Sequence, residues 1–169
     1  MDSKTKTERL VELLKELEAG FLPYDVFVEV ARLTVLSIIE FVPLRKNEKG
    51  EVEILLLSRG EDDPIWPNEL HVPGTVVRPT DNEGKVYLAF ERILNDELQG
   101  TNVSAPHYVG NILHKSKRGT EQAQVFWVEV LGDPLIGHFY EIDSLPENTM
   151  HSQLDFIKQA AKNYQETTA

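Results

Sequence analysis

Val72-Pro73-Gly74-Thr75-Val76-Val77, followed after a polar segment by Ala89-Phe90-Glu91-Arg92-Ile93-Leu94-Asn95-Asp96-Glu97-Leu98-Gln99-Gly100, decides how this chain is read. The first piece is β-rich and interrupted by a glycine. The second spaces its apolar residues as an amphipathic helix, predicted over Val86 to Leu98, with Arg92, Asp96 and Glu97 among its charged positions. Together they read as a strand, a glycine turn, a charged loop and an amphipathic helix.

Around this centre the periodicity alternates between helix and strand. Leu10, Val11, Leu13, Leu14 and Leu17 recur at helical spacing between Thr5 and Ala19, and Gly20 stands where a helix is capped. A second short helix is expected over Tyr24 to Leu33, with Pro23 at its start. Val35 to Val42 and Val52 to Ser58 read as a hairpin joined by the polar segment Arg45 to Gly50, and Glu61 to Glu69 as an acidic loop. Strands are expected over Val72 to Val77, His107 to His114, Ala123 to Leu131 and Gly137 to Ile142, and a terminal helix over His151 to Tyr164. Interleaved helices and strands in a chain of 169 residues predict one α/β domain, a mixed sheet sandwiched between helices.

Twenty-eight acidic against seventeen basic residues give a formal charge of -11, which disfavours nucleic acid as a partner. The basic loop Lys115-Ser116-Lys117-Arg118 reads as a solvated hairpin turn. With no cysteine, neither disulfides nor thiolate chemistry is available. Apolar runs such as Leu33 to Phe41 fall short of a membrane span, and the amino terminus lacks an apolar signal core, so a cytoplasmic protein without membrane contact is expected. Glu40, a carboxylate inside an apolar strand, stands out because burying it unpaired is costly. Trp66, between Pro64 and Pro67, reads as a loop anchor, and His71, His107, His114 and His151 as structural or solvated.

The central stretch resembles a Nudix box, whose pattern runs Gly, five residues, Glu, seven residues, then Arg-Glu-aliphatic-x-Glu-Glu-x-Gly-aliphatic. Gly74, Arg92 and Glu97 fall in motif order, whereas Ile93 stands for the first helix glutamate and Thr75 for the second glycine. Ala89-Phe90-Glu91-Arg92 through Glu97-Leu98 is similar to the helix of GDP-mannose mannosyl hydrolases, which also replace that glutamate with an aliphatic residue. The similarity covers roughly residues 20 to 100 and includes Phe27, Val30, Arg32, Leu36 and Glu40-Phe41. It implies a Nudix-type α/β/α sandwich over residues 34–169, with residues 1–33 as an N-terminal helical extension packed on the domain.

The resemblance also implies a chemistry. Mg²⁺ (or Mn²⁺) would be held by the Gly74 carbonyl, Asp96 and Glu97, and Ile93 would limit the helix to one weak cation site. Glu40, Arg59 and Arg78 would contact the substrate. Arg92, His138 and Glu83 would complete the catalytic set, with His138 or Glu83 as base and Asp81 or Glu83 as counterpart of the loop glutamate. The expected activity is hydrolysis of a nucleoside diphosphate linked to another moiety, above all a nucleotide sugar. The alternative is a catalytically impaired Nudix-fold module that binds a nucleotide or a protein. A small-molecule nucleotide is the expected partner, with a homodimer as a further possibility and neither nucleic acid nor membrane.

Overall fold

The computed structural model describes residues 5–81 and 87–168, so Glu83 and Val86 lie outside the described residues. Helix α1 (Lys6–Lys15) starts at a capping box in which the Thr5 hydroxyl accepts from the Glu8 amide and the Glu8 carboxylate accepts from the Thr5 amide. It buries no residue, and Leu10, Val11, Leu13 and Leu14 face solvent. Helix α2 (Tyr24–Leu33) is the part of the extension that meets the sheet, through fully buried Ala31 and half-buried Phe27.

Strand β1 (Val35–Lys46) is the axis of the sheet. It runs parallel to β6 (Thr120–Glu129) from Val35 opposite Thr120 to Leu44 opposite Glu129. Its other edge is shared. Ile38 to Glu40 pair antiparallel with β4 (Gly74–Val76), and Leu44 to Lys46 with β2 (Val52–Ser58). Strand β3 (Leu70–His71) and β7 (His138–Glu141) pair with β2, and β5 (His107–Lys115) pairs with β6, giving a seven-stranded mixed sheet.

Side chains alternate across β1 and separate two cores. Leu36, Ile38, Val42 and Leu44 face α2 and α4 (Leu154–Thr167), which contributes Phe156, Ile157, Ala160 and Ala161. Ile39 and Phe41 face α3 (Tyr87–Arg92) and the turn after it, with Ala89, Ile93 and Leu98. The architecture is an α/β/α sandwich, as the sequence led us to expect. Among the described residues no helix is long and apolar enough to cross a membrane.

Three local expectations are corrected. Of the strand expected over Val72 to Val77 only Gly74–Val76 forms one, β4; Leu70 and His71 pair earlier as β3, and Pro73, which offers no amide, stands where the chain changes partner from β2 to β1. The helix expected to run on to Leu98 leaves α-geometry at Ile93: Leu98 donates to the Ile93 carbonyl at 2.8 Å, a wide i→i+5 turn. The basic turn is the expected hairpin turn, with Lys115 and Lys117 exposed, but it is not solvated throughout. Gly119 sits so close to α2 that a Cβ on it would lie 2.5 Å from the Ala31 carbonyl oxygen, and this approach carries Arg118 inward between Phe27 and Trp66.

Ile93, the residue in place of a helix glutamate, is 0% exposed in the second core. Position 93 is therefore a packing position in this chain and not a vacant ligand position. Ile93→Glu places a carboxylate among Ile39, Phe41 and Leu55 and lowers unfolding free energy by more than about 3 kcal/mol in urea titration.

Candidate functional site

The run Leu36, Ile38, Glu40, Val42, Leu44 on one face of β1 is apolar except at Glu40, and that interruption marks the floor of a cavity of about 550 Å³. Phe27 and Val30 of α2 and the segment Ala19 to Leu22 form its outer wall. Polar groups converge from four other elements: Arg59 just after β2, Glu97 after α3, Arg118 from the β5–β6 turn and Gln153 at the start of α4.

Glu40 is 7% exposed. Its Oε1 accepts from Gln153 Nε2 at 3.3 Å, and Gln153 is held in turn by the Val72 amide at 3.0 Å. The other carboxyl oxygen has no hydrogen-bond partner among the described residues. Burial, with Glu121 adding repulsion against the opposing Arg118 and Arg59, pushes the Glu40 pKa up to about 8.

Gly74 faces Glu40 across β1 and β4. Phe41 donates to the Pro73 carbonyl and Val77 to the Ser37 carbonyl, both at 2.9 Å, so the hydrogen-bonded pairs fall on either side of the Glu40 and Gly74 pair. Alternation turns the Gly74 and Val76 carbonyls away from β1 and brings the paired side chains close. A Cβ at Gly74 would overlap the Glu40 carboxylate, so only glycine fits there while Glu40 keeps its place.

Arg92 does not line the cavity. It makes a bidentate pair with buried Asp81 and donates to the Val76 carbonyl at 3.1 Å, while the Arg78 amide donates to Asp81 at 2.7 Å. The Arg92 hydrogen bond holds the Asp81 carboxyl below its ordinary pKa. The pair is a clamp between α3 and the turn after β4, and Asp81 is spent on it. Arg78 itself is exposed at the cavity rim.

Glu97 is half-buried, and burial raises its pKa, with Arg59 opposing and Asp96 reinforcing. Arg59 lies 3.8 Å from Asp63 and over the ring of Trp66, and its Nε is buried without a partner among the described residues. Arg59 and Glu97 also line a second cavity of about 410 Å³, whose wall includes Ser58, Asp62, Asp63, His71, Asp96 and Ile136. His138 is exposed at the start of β7, opposite Leu56, and lines neither cavity. Among the described residues no three His, Asp or Glu side chains come together as a metal cluster.

Arg118 and Gln153 were missed in sequence. Arg118 pairs with Glu121 at 2.7 Å, and neither residue belongs to a motif that would single it out. Gln153 is polar at the start of a helix, an ordinary place for such a residue.

No protein-family model matches the chain, and no curated protein matches it by sequence. Solved structures do. A mutT/nudix family protein from Listeria innocua superposes with a TM-score of 0.59 at 19% identity, over 80% of this chain and 98% of that one. The fold is the Nudix fold. The Caenorhabditis elegans Ap4A hydrolase gives a TM-score of 0.57 at 16% identity, over 78% of this chain and 99% of its own. The Nudix domain of Shewanella oneidensis NrtR, in complex with ADP ribose, gives 0.57 at 13% identity, over 95% and 99%.

Two outcomes follow from the site's electrostatics. The folded Glu40 pKa is raised above its unfolded value near 4.5, so its contribution to stability is complete below about pH 4.5 and is lost as pH rises to about 8. Glu40→Gln removes that slope, so the midpoint of thermal unfolding declines less between pH 5 and pH 8 than in the parent protein. Arg92→Ala leaves Asp81 buried without its cation and costs about 3 kcal/mol by chemical denaturation.

Proposed function

We propose that the protein binds a nucleotide whose diphosphate is bonded to a second group, a nucleotide sugar, and hydrolyses the diphosphate. The observation that carries this reading is the junction of the two cavities at Arg59 and Glu97: a guanidinium with an unpaired buried Nε beside a carboxylate, with an apolar chamber on one side and a polar one on the other. The Nudix fold supports the reaction class. Arg59 donates to a phosphate oxygen in this reading, and the walls formed by Phe27, Val30, Leu36 and Ile38 exclude water from the nucleoside.

The donor set suits a hard cation. Glu97 carries negative charge that Arg59 only partly offsets, Asp96 adjoins it, and the Gly74 carbonyl is released from the sheet, so these three would hold Mg²⁺ (or Mn²⁺). When bound, the cation neutralises diphosphate charge. One or two protein carboxylates suffice for Mg²⁺ when phosphate oxygens complete the shell. Arg92 acts through the clamp, by fixing Asp81 and the Val76 carbonyl next to the site. Glu83, on the chain between Asp81 and α3, is the proposed base, since His138 stands outside both cavities.

A second reading, a module that binds such a nucleotide without turnover, is favoured by one specific observation. Ile93 is core, and Arg92 and Asp81 satisfy each other, which leaves few free carboxylates among the described residues.

Incubation with Mg²⁺ and a panel of nucleotide sugars, dinucleotides and nucleoside triphosphates separates the two. We expect product from a nucleotide sugar, and at least a 100-fold loss of kcat/KM in Glu97→Gln, about 3 kcal/mol of transition-state stabilisation. Tight, Mg²⁺-indifferent binding with no product at high enzyme concentration selects the second reading.

A further inference from the structure

The smaller cavity contains a group that the reaction above does not use. His71, at the end of β3, is 4% exposed, and its Nδ1 lies 2.8 Å from the Val72 carbonyl oxygen. A carbonyl only accepts, so Nδ1 carries the proton. Burial, reinforced by the nearby Arg59 charge, pulls the His71 pKa down to about 4 and keeps the ring neutral. Nε2 therefore bears a lone pair, and among the described residues no group donates to it. His71 lines the smaller cavity, so that lone pair is available to a ligand there.

The rest of the polar wall has the same sense. Asp62 presents carboxylate oxygens, Asp63 accepts from the Ile65 and Trp66 amides and faces Arg59, and the Ser58 hydroxyl already donates to the Arg59 carbonyl at 3.2 Å, which leaves its oxygen as an acceptor. The donor of this wall is the Arg59 side chain, at the junction with the larger cavity. A further phosphate is repelled by such a wall, and apart from His71 no aromatic ring lines it to stack on a base. Neutral hydroxyls, which donate hydrogen bonds and bring no charge, fit it.

We propose that the smaller cavity is the subsite for the hydroxyl-rich second group of the ligand, with His71 as a hydrogen-bond acceptor that selects it. The inference rests on the reading that a diphosphate lies at Arg59 and Glu97. It separates sugar-linked diphosphates from dinucleotides and triphosphates, whose second groups carry a base or more charge.

The test is calorimetric titration of the full chain with GDP, UDP and ADP, each beside its hexose conjugate, with Ca²⁺ in place of Mg²⁺. At least one conjugate binds tenfold or more tighter than its parent. His71→Asn, whose amide can still donate to Val72 but which lacks Nε2, erases that gain and leaves the parent Kd within twofold. Asp62→Asn, at an exposed position that keeps the fold safe, weakens the conjugate at least threefold and spares the parent. If parents bind and no conjugate gains, or if neither variant acts selectively on the conjugate, the subsite assignment falls alone. If no parent diphosphate binds, the reading of Arg59 and Glu97 falls and takes the subsite with it.

Discussion

Glu40 and Gly74 face each other across β1 and β4, and the carboxylate occupies the space that any other side chain at position 74 would need. This contact couples the sheet to the site. Strand β4 pairs with β1 over only three residues, Ile38 to Glu40 against Val76 to Gly74, so a displaced Gly74 would loosen the whole pairing. Beyond it, the Val76 carbonyl receives Arg92, and through Arg92 the turn holding Asp81 is fixed to α3. The wide turn that ends in Glu97 follows directly.

The site gathers charge that the fold leaves incompletely compensated. Glu40 is buried with one oxygen unpaired, Arg59 has an unpaired Nε, and Glu97 is desolvated beside Asp96. A buried carboxylate responds to such surroundings by holding its proton, as Glu40 does, whereas a guanidinium cannot lose its charge and needs an anion. Asp63, at 3.8 Å, is a loose partner for Arg59. Arg92 and Arg118 each have a close carboxylate, Asp81 and Glu121, although the Arg92 Nε, like that of Arg59, is buried without a partner among the described residues. Three arginines of similar sequence character thus have different roles, set by the carboxylate each meets in the fold.

The helices before β1 contribute unequally to this arrangement. Segment 19–22 and α2 wall the larger cavity, while α1 keeps Leu10, Val11, Leu13 and Leu14 in solvent. Helical periodicity in a sequence reports an apolar face, and burial depends on whether another surface lies within reach of it.

The order of helices and strands, the mixed sheet and the odd carboxylate in β1 were legible in the sequence, because 3.6- and 2-residue periods and the cost of a buried charge are local properties of the chain. The break at Pro73 was legible in principle, since proline lacks the amide a continuous strand needs. The partners were not. Nothing near Arg92 in sequence says that it meets Asp81, eleven residues away, or that Gln153 reaches Glu40 across 113 residues. Ile93 reads as a lost ligand in the motif and proves to be core, because whether a helix position faces a cavity or a sheet depends on what packs against it. The sequence by itself determined the fold class and the charged residues available to a site. The tertiary structure alone decided which of those charges satisfy one another and which, like Arg59, are left facing a cavity, since hydrogen bonding and burial are properties of neighbours brought together by folding.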